Sequence, residues 1–341
     1  WNELPPEART TSALLSMLHF DFFELLDSVT IARSRKHIER YYSLSDVGKF
    51  PTRLKPISER PELTDIAGVT FDEIFNRIDS LNMDVYTPML KRLESSVYAF
   101  RKTSERMYDL IDGIADSIDR FQQGRGDGST VNQSDVTFTE YDEDPEEAEW
   151  TVGKDLKIDL GDIDLVSWRA KLEEDKAVLN ELLAMITPVT DEHDLKLERL
   201  LEIIKGKINN PINGNNKKVL VFTAFADTAD YLYGELAGKI KDEFGLNSAV
   251  VTGTKNPAMT IPTSRLVKSE FNTILTLFSP KSKGRDVLFD ESPGEIDILF
   301  GTDCISEGQN LQDCDYLINY DIHWNPVRII QRFGRVDRIG S

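Results

Sequence analysis

Residues 298–338 read ILFGTDCISEGQNLQDCDYLINYDIHWNPVRIIQRFGRVDR. Two apolar runs, Ile298-Leu-Phe300 and Tyr316-Leu-Ile-Asn-Tyr320, predict buried strands, and Asn325-Pro326 marks a helix start with Asn as cap and Pro in the first turn. In the closing Gln331-Arg332-Phe333-Gly334-Arg335-Val336-Asp337-Arg338, helical spacing puts Gln331, Arg335 and Arg338 on one face and Ile329, Phe333 and Val336 on the other. The apolar face would anchor the helix. The other would present two guanidiniums together, an arrangement suited to a polyanion such as a triphosphate.

Outward from this stretch the same texture continues. Val219-Leu-Val-Phe222 and Ala249-Val-Val251 read as strands, with helices over 227–243 and near 264–277. Strands alternating with helices predict an α/β fold, a parallel sheet covered on both faces, with ligand-binding residues in loops at the carboxyl ends of strands. Before Lys217 the chain reads as helical. Thr87-Pro88 predicts a helix start, and Leu90, Leu93, Val97, Phe100, Ser104, Met107, Ile111, Ile114, Ile118 and Phe121 follow at heptad spacing. That seam predicts about 48 Å of helix. A second seam, Leu165, Trp168, Leu172, Asp175, Leu179, Leu182 and Ile186, completes a long antiparallel helical hairpin. Neither seam carries ligand residues. The joining segment 122–164 is Gly-rich, then acidic, and reads as a mobile, disordered loop.

The chain has 341 residues, enough for two domains, and its net charge is −19. That balance argues only superficially against nucleic acid. Residues 126–175 hold 16 acids against 4 Lys/Arg, a local −12, whereas residues 31–60 hold 8 against 3 acids, a local +5. An acidic segment thus masks basic ones. The two cysteines, Cys304 and Cys314, cannot form a disulfide framework, and the scattered histidines give no zinc spacing, so no metal site is expected. The start, Trp1-Asn2-Glu3-Leu4-Pro5, has neither Met nor the features of a signal peptide, and no apolar run reaches membrane-spanning length. A cytoplasmic piece of a longer protein is the expectation.

Three blocks in order, Gly301-Thr302-Asp303-Cys304-Ile305-Ser306-Glu307-Gly308-Gln309-Asn310-Leu311, then Asn319-Tyr320-Asp321-Ile322-His323-Trp324-Asn325-Pro326, then the Gln331–Arg338 stretch, resemble motifs V and VI of superfamily-two helicases. More narrowly they resemble the Swi/Snf-type DNA translocases. The Ser-Glu-Gly-x-Asn run and the closing Arg-Ile-Gly are similar to the bacterial RapA-like branch. Val219–Phe225 resembles motif IV, Val251–Thr254 the DNA-side loop that follows, and Phe278-Ser-Pro280, Lys91–Phe100 and residues 25–42 further elements of that family.

The resemblance implies a second RecA-like lobe over 206–341. It is preceded by a helical linker and protrusion over 1–86, leaving the first ATPase lobe, and by the hairpin over 87–205. It implies that Arg335 and Arg338 act as arginine fingers, that Gln331, Glu307 and Gly308 lie at the nucleotide, and that Thr223, Thr252, Gly253 and Thr302 contact the DNA backbone. Asp303 would brace its loop, and His323 and Trp324 would serve packing. The implied substrate is ATP with Mg2+, bound mainly by the first lobe. The implied partners are duplex DNA, that first lobe, and RNA polymerase or another protein complex, with no membrane. The chain has no Gly-x-x-x-x-Gly-Lys-Ser/Thr, and its Asp191-Glu192-His193-Asp194 opens a helical run instead of following a buried strand. It imitates the acidic box of a helicase and reads as an acid-rich helix N-terminus. Alone, the fragment should therefore be inactive. A strand-separating DNA or RNA helicase and a catalytically inactive protein-binding scaffold are the alternatives.

Overall fold

The computed structural model describes residues 51–59, 65–66, 68–83, 85–123, 130–132, 157–160, 164–264, 267–285, 294–305, 308–322 and 325–337. Residues 54–337 form one compact unit; residues 1–53 with 338–341 form another, of which only 51–53 are described. The readings made for 1–50 and for 25–42 therefore lie outside the described residues.

The five-stranded sheet has the order β7-β6-β8-β5-β9, from β5 (Val219–Phe222), β6 (Ser248–Val251), β7 (Ala258–Met259), β8 (Ile298–Gly301) and β9 (Leu317–Asn319). Strands β6, β8, β5 and β9 run parallel, and β7 joins β6 antiparallel at one edge. Val219–Phe222 and Ile298–Gly301 are buried at every residue, as expected of strands covered on both faces. One face packs on α5 (Leu195–Asn209) and α6 (Ala226–Phe244), through Leu200, Ile204, Leu232 and Leu236 against Val219, Val221 and Phe300. The other packs on α7 (Phe271–Phe278), through Ile274, Leu275 and Phe278 against Leu220, Phe222 and Leu299. The core thus places α5 with the sheet, so the α/β layer begins near Leu195. Helix α7 starts later than the spacing suggests, because Ser264 and Val267 close a turn ahead of it.

Ahead of the sheet lie α1 (Phe71–Asp79), α2 (Tyr86–Ser95), α3 (Val97–Gln122) and α4 (Leu165–Ile186). Helices α3 and α4 pack antiparallel. Arg101 at the start of α3 donates to the carbonyls of Ile186, the last residue of α4, and of Val189 beyond it, Lys176 meets Asp112 mid-way, and Arg169 reaches Asp119 at the far end. Phe100, Met107, Ile111, Ile114 and Ile118 bury against Leu172, Leu179, Leu182 and Ile186, and the lone acid of the second seam, Asp175, accepts from the Asn82 backbone at 2.6 Å.

Two expectations need correction here. The heptad seam is not one helix: Ser96 is extended (φ −159°, ψ 149°) and caps α3 by accepting from the Ala99 N–H, and α2 begins at Tyr86 with Val85 as its uncapped start. Residues of both helices, Met89 and Leu93 of α2 and Phe100 and Met107 of α3, still bury in one core. Nor is 122–164 wholly loop. Strands β3 (Thr130–Asn132) and β4 (Lys157–Asp159) pair antiparallel, and Leu160 beside them buries in the hairpin core. A further two-residue pair joins β1 (Asp65–Ile66) to β2 (Val69–Thr70). No helix among the described residues is long and apolar enough to cross a membrane.

Candidate functional site

Three of the site residues follow adjacent parallel strands. Thr223 follows β5, Thr252 follows β6 and Thr302 follows β8. Phe222 and Val251 both stand opposite Gly301, so the three threonines share one level of the sheet's carboxyl edge. Backbone bonds stitch that edge, from Thr223 N to Gly301 O at 3.0 Å and from Thr302 N to Val251 O at 3.3 Å. The hydroxyls are less available than expected. Thr223 is fully buried and donates to Asp321 Oδ2 at 2.6 Å, Thr252 accepts from Lys255 N at 3.2 Å, and Thr302 faces Cys304 Sγ at 3.5 Å. Gly253 is the exposed member of the group.

The final helix, α8 (Pro326–Phe333), lies over this edge, capped by Asn325 with Pro326 in its first turn as the dipeptide predicts. Its orientation is turned from the expected one: the buried face carries Arg328 and Arg332, which the spacing assigned to neither face, while Ile329 and Val336 of the expected apolar face are partly buried, Val336 against the core under α7. Arg332 is fully buried, while Ile330 is 70% and Phe333 36% exposed. The polar surface beneath explains why Arg332 faces inward. Arg332 forks onto Asp303, Nε to Oδ1 at 2.7 Å and Nη2 to Oδ2 at 2.8 Å, and its Nη1 reaches Asn319 Oδ1 and the Asp321 carbonyl. The guanidinium also lies 5.2 Å from the Phe222 ring centroid. A bidentate pair with further acceptors satisfies the buried cation. The fork ties Asp303, in the turn after β8, to α8.

The helix ends at Phe333, so Arg335 sits in the turn beyond it. There its Nε donates to the Gln331 carbonyl at 3.2 Å and its Nη1 to the Gln309 carbonyl at 3.3 Å, while Leu311 N donates to Arg335 O at 3.1 Å. Gln331, Arg335 and the loop after β8 are thus brought together. In that loop Gly308 has φ +66° with open space around it, so its backbone conformation, not crowding, calls for glycine. Glu307, Arg338, His323 and Trp324 lie outside the described residues.

Residue-by-residue reading missed Asp321. Its Oδ2 accepts from Thr223 Oγ1, from Ala224 N at 3.1 Å and from Ser95 Oγ at 2.8 Å, and its Oδ1 pairs with Lys196 at 2.9 Å. Burial alone would push this carboxyl up. The Lys196 ammonium and the hydrogen bonds from Thr223, Lys196 and Ala224 outweigh burial and hold it below the usual aspartate range. Asp227 behaves alike: burial raises it, but Lys255 at 2.7 Å and Arg106 at 2.6 Å bring it down. The sequence signal for Asp321 was its place within the quoted block Asn319–Pro326, and for Asp227 its place just after Val219–Phe225. Asp194, from the acidic run that imitates a metal box, accepts from Leu197 N at 2.8 Å and so caps α5.

Residues 195–340 match the family model of the helicase conserved C-terminal domain. This segment is a helicase C-terminal domain. Its span agrees with the start of the sheet layer at α5, and it includes all the candidate site residues. The chain is 46% identical over 57 residues to the "Uncharacterized ATP-dependent helicase YqhH" of Bacillus subtilis, covering 17% of this chain and 10% of that protein. It is 26% identical over 144 residues to the "Putative ATP-dependent DNA helicase fml2" of Schizosaccharomyces pombe, covering 42% and 16%. The chain therefore spans a small fraction of the length of these relatives. Among solved structures, the Pyrococcus furiosus Hef helicase domain overlaps with a TM-score of 0.30 at 17% identity, covering 80% of this chain and 43% of that one.

Proposed function

We propose that this chain is the second ATPase lobe, with helical protrusions, of a Swi/Snf-type translocase of the RapA-like branch, which hydrolyses ATP to move along duplex DNA. The observation that carries this reading is the position of Arg335. Its guanidinium is held by the Gln331 and Gln309 carbonyls, at the carboxyl edge of the sheet and beside Gly308. The names of the two relatives, both ATP-dependent helicases, support it.

In this reading Arg335 and Arg338 meet the transferred phosphoryl group of ATP bound by a first lobe and stabilise the charge that develops there. Gln331 orients the hydrogen bonds of the cleft. Glu307 and Gly308 lie near the nucleotide sugar. Gly253, with the backbone at Thr252 and Thr302, contacts DNA phosphates, and Thr223 sets the edge from within through Asp321. Such contacts position the duplex without reading sequence. Among the described residues no group of three or more His, Cys, Asp or Glu side chains could hold a metal ion. In this reading magnesium is bound mainly by the first lobe, and no step is routed through it here. The larger target, RNA polymerase or another DNA-bound complex, belongs to the same reading.

The test is ATPase of the two-lobed protein with and without duplex DNA. Arg335→Ala and Arg338→Ala should each lower turnover by roughly 10³–10⁵ while sparing most DNA binding. Lysine at either position should rescue little, because a point charge cannot reproduce the planar fork. Near wild-type hydrolysis by both folded alanine variants overturns the reading. Displacement of a strand from a tailed duplex would instead indicate a strand-separating helicase, and absence of ATPase in the wild type an inactive scaffold.

A further inference from the structure

The break between α2 and α3 is also a place where the helical region is fastened to the sheet. Ser95, Ser96, Thr228 and Thr223 are all buried there, at 5% exposure or less. The Ser96 and Thr228 hydroxyl oxygens lie 3.0 Å apart, those of Thr228 and Ser95 2.7 Å, and Ser95 Oγ is 2.8 Å from Asp321 Oδ2. An ionised carboxylate only accepts, and each hydroxyl has one proton to donate. The proton order is therefore forced: Ser96 donates to Thr228, Thr228 to Ser95, and Ser95 to Asp321. Such one-way chains polarise and strengthen one another. Lys196 closes the other side, donating to the Glu94 and Ser95 carbonyls at the end of α2 and to Asp321 Oδ1, at 2.9–3.0 Å. Its ammonium thus spends all three protons and places a cation at the C-terminus of α2.

The same Asp321 accepts from Thr223 and Ala224 after β5, and its carbonyl accepts from Arg332 of α8. One residue therefore joins the helical region, the DNA-side turn and the helix that leads into Arg335. We propose that Asp321 is a positioning residue, and that through the Ser96–Thr228–Ser95 chain and Lys196 the helical region sets the placement of the turn after β5 and of α8. The helical region is then part of what makes hydrolysis respond to DNA. This rests on the functional reading above, because the groups positioned are the ones assigned there to DNA and ATP.

The test uses Ser95→Ala in the two-lobed protein. It removes one neutral donor from Asp321 while leaving Thr223, Ala224 and Lys196 in place. Asp321→Asn leaves the Lys196 ammonium without its counter-charge and is expected to unfold more readily, so Ser95 carries the argument. Ser95→Ala should lower the DNA-stimulated kcat by roughly tenfold or more, as misplacement of remote supporting groups does. Its DNA-free ATPase should fall less than the stimulated rate, its KM for ATP and its far-ultraviolet circular dichroism should stay near wild type, and Ser95→Thr should recover most of the stimulated rate. A purely structural contact would lower stability and leave the stimulation ratio alone. That result, or a failure of Ser95→Thr to rescue, overturns the inference while the functional reading stands. A wild type whose ATPase does not respond to DNA overturns both.

Discussion

Arg332 and Phe333 are neighbours in sequence with opposite surroundings. Arg332 has no exposed side-chain surface and Asp303, its partner, is 14% exposed, so removing the guanidinium leaves a carboxylate largely cut off from water. Arg332→Ala should cost roughly 3–5 kcal/mol, the typical penalty for breaking a buried pair from one side. Arg332→Lys should restore only part of it, since an ammonium cannot make the fork. Phe333→Ala should cost less, about 1–2 kcal/mol, because over a third of that residue is already in water. Urea unfolding of the three variants tests the order, and a larger loss at Phe333 would mean that α8 packs by its apolar face. Hydrophobic periodicity placed Phe333 inward and left Arg332 on neither face, because it gives no reason to bury an arginine. What it could not see is that the strip of sheet edge under α8 is itself polar, with Asp303, Asn319 and the Asp321 carbonyl as acceptors.

Among the elements, the strands were the most legible, since runs such as Val219–Phe222 and Ile298–Phe300 bury every side chain and leave no other stable placement. Their ends were less so. Gly301 closes β8 between β5 and β6, and a Cβ there would stand 2.7 Å from Ile305 Cδ1 and 3.1 Å from the Val251 carbonyl. The side-chain methyl can turn away, but the carbonyl belongs to the sheet. Gly301→Ala should therefore destabilise the lobe by roughly 1–3 kcal/mol, as overpacking does. Ile305→Val, which removes the Cδ1 methyl, should relieve part of the loss in a double variant. Thermal unfolding decides, and a Gly301→Ala protein as stable as wild type would show that the edge is looser than the distances imply. The α2–α3 break escaped detection for a different reason. Ser95 and Ser96 fall between the seam positions Leu93 and Val97 and look like ordinary off-seam polar residues until Thr228 and Asp321, far away in sequence, are brought beside them.

Across the whole unit the helical region and the sheet are joined by charged groups that titrate. Asp227, on α6, holds Arg106 of α3 and Lys255 of the loop after β6. Its pKa is depressed in the folded state, so its contribution is fully present above the unfolded value of about 3.9 and is lost as pH falls through the lower folded value. Asp321 has the same sign. Asp227→Asn should then be less stable than wild type by a constant margin above about pH 4 and converge on it in more acidic solution. Denaturant titrations at a series of pH values measure that margin, and a margin that widened on acidification would mean the carboxyl is raised instead.

The chain order of apolar runs, caps and short motifs was enough to specify an α/β layer, an antiparallel helical hairpin and a helicase C-terminal domain, because each is written in residues close together in sequence. Periodicity reports how much of an element is buried, and motif spacing reports which backbone turns recur. Neither reports which polar groups will meet. The inward turn of Arg332, the enclosure of Thr223 and the fourfold engagement of Asp321 all depend on partners from 11 to 226 residues away, assembled only when the sheet forms. Tertiary structure decided these, since a buried charge is tolerated only where several distant donors and acceptors converge on it.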